Sequence, residues 1–457
     1  MSDPIPAVQN VHANRARILQ NLKDFVRIPS ISTDPQAKPD MQHAAEWVAG
    51  QLRGMGVDNV AIMPTSRHPV VYGEWLKAGA TQPTVLIYGH YDVQPAEPLE
   101  LWHTPAFEPT EKGENLFGRG ASDMKGQVVA CLAAVQALLE TQTLGVNVKF
   151  LVEGEEEIGS PALEKFIPEH KDLLACDVAL NPDTGMMAPD IPTITYGLRG
   201  LAYFEVRVVG AKQDLHSGLY GGAVHNPAQV LCELVAGMHD DQGRVTLPGF
   251  YDSVRPLDPV EREELARLPH GDDFILEQTG VPALYGETGY TNVERIGARP
   301  TLEVNGLLSG FTGEGSKTVL PARAMAKISM RLVPDQDPDQ VMEQLRQYLE
   351  QNAPPTVHWE LIKHAGGSAS ISDIHHPAVA AMEKALESVW GKRPLYRREG
   401  GSVPVVAKFQ KELGTESVCT GFGLPDDNLH APNEKVHLPT LYRGIDAVVH
   451  FLLNLKA

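Results

Sequence analysis

Blocks of hydrophobic and polar residues along the chain predict strands that alternate with helices. Short apolar runs at residues 84–90, 147–154 and 176–183 are typical of buried strands. The segments 9–26 and 123–142 have the length and the apolar face of helices. Strands that alternate with helices indicate βαβ units, and these predict a parallel sheet that is covered on both faces.

A different order occupies the middle of the chain. The elements predicted there are strand 201–210, helix 226–240, strands 301–307 and 324–333, helix 338–352 and strand 356–362. The order βαββαβ is that of a ferredoxin-like domain, here enlarged by an irregular Pro- and Gly-rich insertion near 241–299.

The first pattern then resumes with a helix over 376–390, a strand over 416–422 and a helix from Pro439. The sequence therefore predicts an α/β protein with a mainly parallel-sheet domain formed by residues 1–196 and 366–457. A ferredoxin-like domain over 197–365 is inserted into it.

Composition narrows the class of protein. The 457 residues include 42% hydrophobic residues, as in an ordinary folded protein, and the formal net charge is −19. Such an excess of acid argues against binding to nucleic acid or to an anionic membrane. The N-terminal segment lacks the apolar core of a signal peptide, and no apolar run is long enough to span a membrane. The four cysteines lie far apart in apolar surroundings, which favours small buried residues and a cytoplasmic location.

Histidines and carboxylates follow the ends of the predicted parallel strands, where ligands gather in open sheets. His90 and Asp92 follow the first strand, and the run "VEGEEEIGS" places three glutamates after the second. The remaining members of this group are Asp183 after the third strand, Asp123 at the start of the long helix, and His430 in the loop after strand 416–422.

This combination of side chains predicts a metal site. Imidazole and carboxylate are ligands for borderline or hard divalent metals, and crowded carboxylates need cations to neutralise them. A glutamate run alone is more typical of a solvated surface, but here it follows a buried strand. Two metals are expected because one carboxylate can bridge ions about 3.5–4 Å apart. Neighbouring glutamates in extended chain point in different directions, so one can bind metal while the next acts as a general base.

The motifs of the chain resemble those of carnosinase-type cytosolic dipeptidases. They belong to the dinuclear metallopeptidase family that also includes glutamate carboxypeptidase, aminoacylase and the desuccinylases. The resemblance runs from "FVRIPSIS" to the last helix and includes "GHYDVQP", "GRGASDMKG", "EGEEEIGS", "DLHSG", "KTVLP", "MRLVP", "REGGSVPV" and "LHAPNEK". Met124 stands where many carnosinase relatives have a second aspartate.

The resemblance implies a role for each residue that matches a motif. It implies that His90 and Asp183 bind one ion, that Glu157 and His430 bind the other, and that Asp123 bridges them. Zinc and manganese both suit these ligands. Catalytic roles are implied for Glu156 as the general base, for Asp92 as the hydrogen-bond partner of His90, and for His216. Glu155 is left as a bystander.

Substrate contacts are implied in and near the inserted domain, at Thr318, Arg331, Gly401 and Ser402. Alternation in "AMAKISMRLV" independently places Arg331 on the polar face of its strand, and arginine suits a carboxylate. The resemblance also implies a lid that closes over the site and forms a homodimer, with His216 acting on the partner's site.

These observations predict hydrolysis of dipeptides or short peptides with a free C-terminal carboxylate, by a metal-held water that Glu156 deprotonates. The small peptide is then the partner, with no nucleic acid and no membrane. Two alternatives stay open. One is a deacylase of N-acyl amino acids with the same metals, and the other is a catalytically silent regulator that binds metal or peptide.

Overall fold

The computed structural model describes residues 5–269, 271–401 and 403–455. The chain forms two compact units. The first consists of Met1–Tyr196, Ser372–Arg397 and Val403–Ala457, and the second consists of Gly197–Ile371 and Arg398–Ser402.

The strands alternate with helices along most of the chain. The strands are β1 Asp58–Met63, β2 Val70–Trp75, β3 Thr84–His90, β4 Thr110–Lys112, β5 Asn115–Phe117, β6 Asn147–Glu153, β7 Val178–Asn181, β8 Thr193–Leu198, β9 Gly200–Val209, β10 Leu215–His216, β11 Thr301–Ser309, β12 Val319–Leu320, β13 Arg323–Leu332, β14 His358–Gly367, β15 Ser370–Ile371, β16 Leu395–Glu399, β17 Glu416–Cys419 and β18 Lys435–His437. The helices are α1 Pro6–Ala13, α2 Arg15–Val26, α3 Lys38–Gly54, α4 Lys125–Glu140, α5 Leu163–Glu169, α6 Lys171–Leu174, α7 Ser217–Tyr220, α8 Pro227–Ala236, α9 Pro259–Ala266, α10 Asp272–Thr279, α11 Asn292–Ala298, α12 Pro338–Asn352, α13 Pro377–Trp390, α14 Pro404–Lys408 and α15 Leu438–Asn454.

The first unit is built on a mixed sheet whose centre is parallel. Its strands lie in the order β1-β2-β6-β3-β7-β17-β8. The four central strands β6, β3, β7 and β17 run parallel, and the strands outside them are antiparallel. Strand β6 is buried along its whole length, and helix α4 is buried almost throughout, because each is covered on both sides. The parallel centre aligns the carboxyl ends of β3, β6 and β7 at one edge.

The second unit contains an antiparallel sheet in the order β11-β13-β9-β14. With helices α8 and α12 it follows the chain order βαββαβ, so the predicted α/β fold with an inserted ferredoxin-like domain is confirmed. One face of the sheet packs on both helices, and this core includes Phe204, Ile328, Leu234 and Leu345. Burial alternates along β13, which leaves Arg331 on the face away from that core.

Several predicted elements differ from the structure in detail. The helix predicted over 9–26 is broken at Asn14 into α1 and α2. The strand predicted over 416–422 ends at Cys419, and the hairpin of β1 and β2 was not predicted. The insertion near 241–299 contains three helices, α9 to α11, where irregular structure was expected. Cys232 is exposed, so the prediction of a small buried residue is wrong there. Among the described helices, none combines the length and the apolar character that crossing a membrane requires.

Candidate metal centre

His90 ends strand β3 and is completely buried. Its Nδ1 lies 3.0 Å from the backbone oxygen of Asp92, which can only accept a hydrogen bond, so Nδ1 carries the proton. The lone pair of Nε2 then faces the carboxylates of Asp123, at 3.2 Å, and Asp183, at 3.8 Å. Nε2 is buried and makes no hydrogen bond. A cation held between the imidazole and the two carboxylates would satisfy all three groups.

Asp92 connects the end of β3 to the glutamate run. Its buried carboxylate lies 3.4 Å from Nδ1 of His90. The same carboxylate accepts hydrogen bonds from the backbone N–H groups of Glu156, at 3.2 Å, and Glu157, at 3.1 Å. Asp92 therefore fixes the imidazole and the turn that carries the two glutamates in one arrangement.

The three consecutive glutamates face three different environments. Glu155 is buried, and its carboxylate accepts the backbone N–H groups of His68 and Ala162 at 2.8 and 3.2 Å. Glu156 places Oε2 4.0 Å from Nε2 of His90, and Glu157 places Oε2 3.2 Å from Nε2 of His430. The short 3₁₀ turn Glu156–Ile158 separates the side chains. Glu155 is thus a structural carboxylate and not a solvated one.

Asp123 lies between the two histidines. Its Oδ1 is 3.2 Å from Nε2 of His90, and its Oδ2 is 3.0 Å from Nε2 of His430. His430 is half-exposed and has a left-handed backbone with φ of 58°. The peptide bond between Asp123 and Met124 is cis, and the Met124 sulfur accepts the backbone N–H of His90 at 3.2 Å. Met124 is completely buried against the backbone of His90.

The ligand atoms form two groups that share Asp123. The first is His90, Asp123 and Asp183, the second is Asp123, Glu157 and His430, and within each group the atoms lie within 4.8 Å of one another. Imidazole nitrogens and carboxylate oxygens suit zinc or manganese, and the shared carboxylate suits a pair of ions. The donor set therefore fits two divalent cations.

Electrostatics reflects the excess of carboxylates. Burial, followed by the negative charge of Asp183, raises the pKa of Glu156 well above its usual value. Burial opposes ionisation of Asp123 as well, but the hydrogen bond with His430 and the positive charges of protonated His90 and His430 hold the pKa of Asp123 below its usual value. Hydrogen bonds to Asp123 and Glu157 raise the pKa of His430 to about 10. In the absence of cations, protons thus take over part of the neutralisation.

Glu434 is a residue of the site that the sequence did not reveal. It is completely buried, and its Oε1 accepts the backbone N–H groups of Ser122 and Asp123, both at 3.0 Å. Its Oε2 accepts the N–H of Gly120 at 2.9 Å and pairs with Arg119 at 2.6 Å. Glu434 therefore ties the loop that carries His430 to the loop that carries Asp123. No sequence motif indicates this role of Glu434, because its partners are mainly backbone groups of a loop that is distant in sequence.

Of the other predicted residues, those that the structure describes lie in the second unit. His216 pairs with Val319 across β10 and β12, and its Nδ1 accepts the backbone N–H of Gly218 at 3.0 Å. The neutral ring therefore carries its proton on Nε2. The carbonyl of Thr318 accepts the N–H of Ser217 at 3.1 Å, which places Thr318 beside His216. Ser402 lies outside the described residues.

Arg331 and Gly401 have a common neighbour that the sequence did not reveal. The backbone N–H of Arg199 donates to Gly401 O at 3.2 Å. Burial, with the nearby positive charge of Arg331 as the second cause, lowers the pKa of Arg199 to about 10. Two guanidinium groups and the Gly401 backbone therefore occupy one region of the second unit.

The fold and the two ligand groups define a metallopeptidase. The chain belongs to peptidase family M20/M25/M40, whose model matches residues 86–454, and this confirms the resemblance stated from the motifs.

Its relatives match over almost the whole chain. It is 30% identical to the Cys-Gly metallodipeptidase DUG1 of Candida albicans, over 98% of this chain and 96% of that one. It is 31% identical to the human Beta-Ala-His dipeptidase, over 98% and 92% of the two chains. The crystal structure of an M20 family metallo-carboxypeptidase, Sso-CP2 from Sulfolobus solfataricus, has a TM-score of 0.85 and 33% identity over 96% of this chain and 98% of that one.

Proposed function

We propose that this enzyme hydrolyses dipeptides or short peptides that end in a free carboxylate, and that it needs divalent metal ions to do so. Relatives about 30% identical over the whole chain are named as dipeptidases for Cys-Gly and for Beta-Ala-His. The observation that carries the proposal is the position of Asp123, with one oxygen towards each histidine and a further carboxylate beside each. A peptide bond held at such a pair would be polarised by the ions and exposed to an activated water.

Two ions per subunit, zinc or manganese, would be held by the two ligand groups. His90 and Asp183 would hold one, Glu157 and His430 the other, and Asp123 both. When bound, they would supply Lewis-acid polarisation of the scissile carbonyl and a lowered pKa for water. Gln94 supports this arrangement because its Nε2 donates to Glu157 Oε2 at 2.9 Å, which fixes the direction of that carboxylate.

Glu156 is the general base of the proposed reaction. In the metal-free protein, burial and then the negative charge of Asp183 raise the pKa of its carboxyl group, so this group takes up a proton more readily than an exposed glutamate does. Glu156 would take a proton from the attacking water and pass it to the leaving amine. Asp92 keeps the turn of Glu156 in register with His90 through the backbone N–H of Glu156.

Residues of the second unit are proposed to recognise the substrate. The proton on Nε2 of His216 makes it a donor for the oxyanion that develops at the carbonyl. Arg331, Thr318 and the Gly401–Ser402 backbone are proposed to hold the substrate, with Arg331 on its carboxylate. The homodimer through the inserted domain and the cytoplasmic location remain predictions from the sequence.

The test compares two neighbouring glutamates with the same substitution. Glu156→Gln should retain both metals yet lose roughly 10²-fold or more in kcat, because a Gln cannot accept the proton. Glu155→Gln is the matched control. It should lower the free energy of unfolding by about 1–3 kcal/mol, since a glutamine offers one acceptor oxygen where two buried backbone N–H groups each need one, and it should leave kcat near normal. The measurements are metal content, kcat with a dipeptide, and denaturant unfolding.

Near-normal turnover in metal-loaded Glu156→Gln would contradict the role of Glu156. Full activity after verified removal of the metals would contradict metal dependence itself. Turnover of a parallel panel of N-acyl amino acids distinguishes a dipeptidase from a deacylase. A deacylase would cleave these substrates faster than dipeptides.

A further inference from the structure

The insertion between residues 241 and 299 has no place in the ferredoxin-like pattern, and the proposed reaction does not use it. Two of its helices, α9 and α11, lie against the segment Arg398–Gly401. This segment comes from the C-terminal part of the chain but belongs to the second compact unit. It is also the segment whose glycine backbone is proposed to bind substrate.

Helix α9 holds the segment through a buried ion pair. The guanidinium of Arg398 contacts the carboxylate of Glu261, and the two side chains are only 6% and 13% exposed. Charges that are shielded from water are screened little by salt, and a charge-assisted hydrogen bond is directional. Arg398 therefore has a fixed position relative to α9, since leaving it would strand a buried carboxylate.

Helix α11 approaches the same segment closely at two glycines, and at Gly297 the approach leaves no room for a Cβ atom. A Cβ atom on Gly297 would lie 2.6 Å from the carbonyl oxygen of Arg398. A Cβ atom on Gly400 would lie 3.2 Å from the carbonyl oxygen of Ile296 and 2.8 Å from Nη2 of Arg199. The helix and the segment are thus in direct backbone contact, and a larger residue at Gly297 would push them apart.

Arg199 joins the segment to the end of the insertion. Its backbone N–H reaches Gly401 O at 3.2 Å, and its Nε donates to Gly400 O at 3.3 Å. Its Nη1 donates to the carbonyl oxygen of Arg299 at 3.4 Å, just beyond the end of α11. One residue therefore binds both the glycine backbone and the insertion.

We propose that helices α9 and α11 set the position of the Gly400–Gly401 backbone and thereby determine selectivity for peptides with a free C-terminal carboxylate. The inference rests on the proposed function, because it takes this backbone as part of the carboxylate site. Glu261, Gly297 and Arg199 are positioning residues that act through the peptide groups of the segment. A hydrogen bond to a charged carboxylate depends steeply on geometry, so a shifted backbone weakens binding of the free acid more than binding of an amide.

The first measurement is steady-state kinetics of the metal-loaded enzyme with a dipeptide and with the C-terminal amide of that dipeptide. Glu261→Gln and Gly297→Ala should each raise KM for the free dipeptide roughly tenfold, with kcat changed by less than about threefold. The preference for the acid over the amide should fall by the same roughly tenfold factor. Glu264→Gln is the matched control, because Glu264 lies on the same helix and pairs with Arg267 at 2.7 Å. It should behave like the wild type.

The second measurement needs no turnover. Amide hydrogen exchange of residues 398–401 should be faster in Glu261→Gln and in Gly297→Ala, and unchanged in Glu264→Gln. Exchange equal to that of the control, or faster exchange with unchanged KM and unchanged acid preference, overturns the inference. A wild type that cleaves no dipeptide contradicts the proposed function instead, and the exchange rates then decide alone for or against the positioning role.

Discussion

Protonation at the centre depends on what neutralises Asp123 and Glu157. In the metal-free protein their carboxylates raise the pKa of His430 to about 10, from a usual 6.5. As a proposed metal ligand, the same imidazole would have to lose its proton, because the nitrogen lone pair would bind the ion. Protons and metal ions therefore compete for the imidazole of His430, and the pH determines which of them is bound.

This competition predicts the pH dependence of the metal-free protein. A histidine whose pKa is higher in the folded state stabilises that state fully below its unfolded pKa, and this contribution disappears as the pH rises through about 10. We therefore compare the melting temperatures of the metal-free wild type and of metal-free His430→Asn. The wild type should melt at the higher temperature, and the difference should be largest near about pH 6 and small above about pH 10. A difference that grows with pH would contradict this prediction. Thermal melts of both proteins in chelator make the comparison.

The loop between β17 and β18 contributes two residues to the centre. It presents His430, and its Glu434 binds the backbone of Asp123 and Ser122. All four hydrogen-bond partners of the Glu434 carboxylate are donors, whereas a glutamine amide has a single acceptor oxygen. In either orientation, the NH₂ group of a glutamine at this position would face hydrogen-bond donors of the protein.

Glu434→Gln should therefore weaken metal binding by about 10- to 100-fold, because the backbone that aims Asp123 loses its anchor. Asp427→Asn is the matched control. Asp427 is as buried, lies in the same loop and binds Ser122 Oγ at 2.9 Å and Lys435 Nζ at 2.9 Å, but has no bond to Asp123. It should lower stability with a smaller change in metal affinity. Equal losses of affinity in the two variants, measured by chelator competition, would show that general loop stability and not Asp123 is responsible.

How much the sequence could predict also differs between elements. The buried strands β3, β6 and β7 were visible as apolar runs, and the residues at their carboxyl ends followed from parallel topology. Glu434 and Arg199 could not be found in this way, because their partners are backbone groups brought close by folding. The helices of the insertion did leave a local signal, since Asp258 and Thr291 cap α9 and α11. The prolines and glycines around these caps are more typical of irregular structure, and this explains why helices were not predicted there.

At the scale of the whole molecule, the sequence predicts a homodimer in which His216 serves the partner's metals. Its Nδ1 is occupied by Gly218 N–H, so only Nε2 can donate to a substrate. His216→Ala and Glu156→Gln should each be nearly inactive alone, because each lacks one group of the reaction. Mixed dimers of the two should recover activity, since one of their two sites would combine an intact Glu156 with an intact His216.

The mixing experiment needs dimers that are verified as mixed, folded and loaded with metal. Recovered activity that scales with the fraction of mixed dimers agrees with action across the subunits. Mixed dimers that stay as inactive as their parents would show that His216 acts within its own chain. The control is a mixture of Glu155→Gln and His216→Ala. In this mixture the Glu155→Gln chain retains the general base Glu156.

The order of the ligands along the chain has a consequence for biosynthesis. His90, Asp123 and Asp183 all precede the second unit, whereas His430 follows it. Strand β17, which lies between β7 and β8 in the finished sheet, also follows the second unit. A nascent chain that leaves the ribosome N-terminus first thus carries one complete ligand group while its sheet still lacks a central strand. The other candidate group is complete only after the C-terminal part of the chain has been made, so two ions held by these groups would be captured in that order.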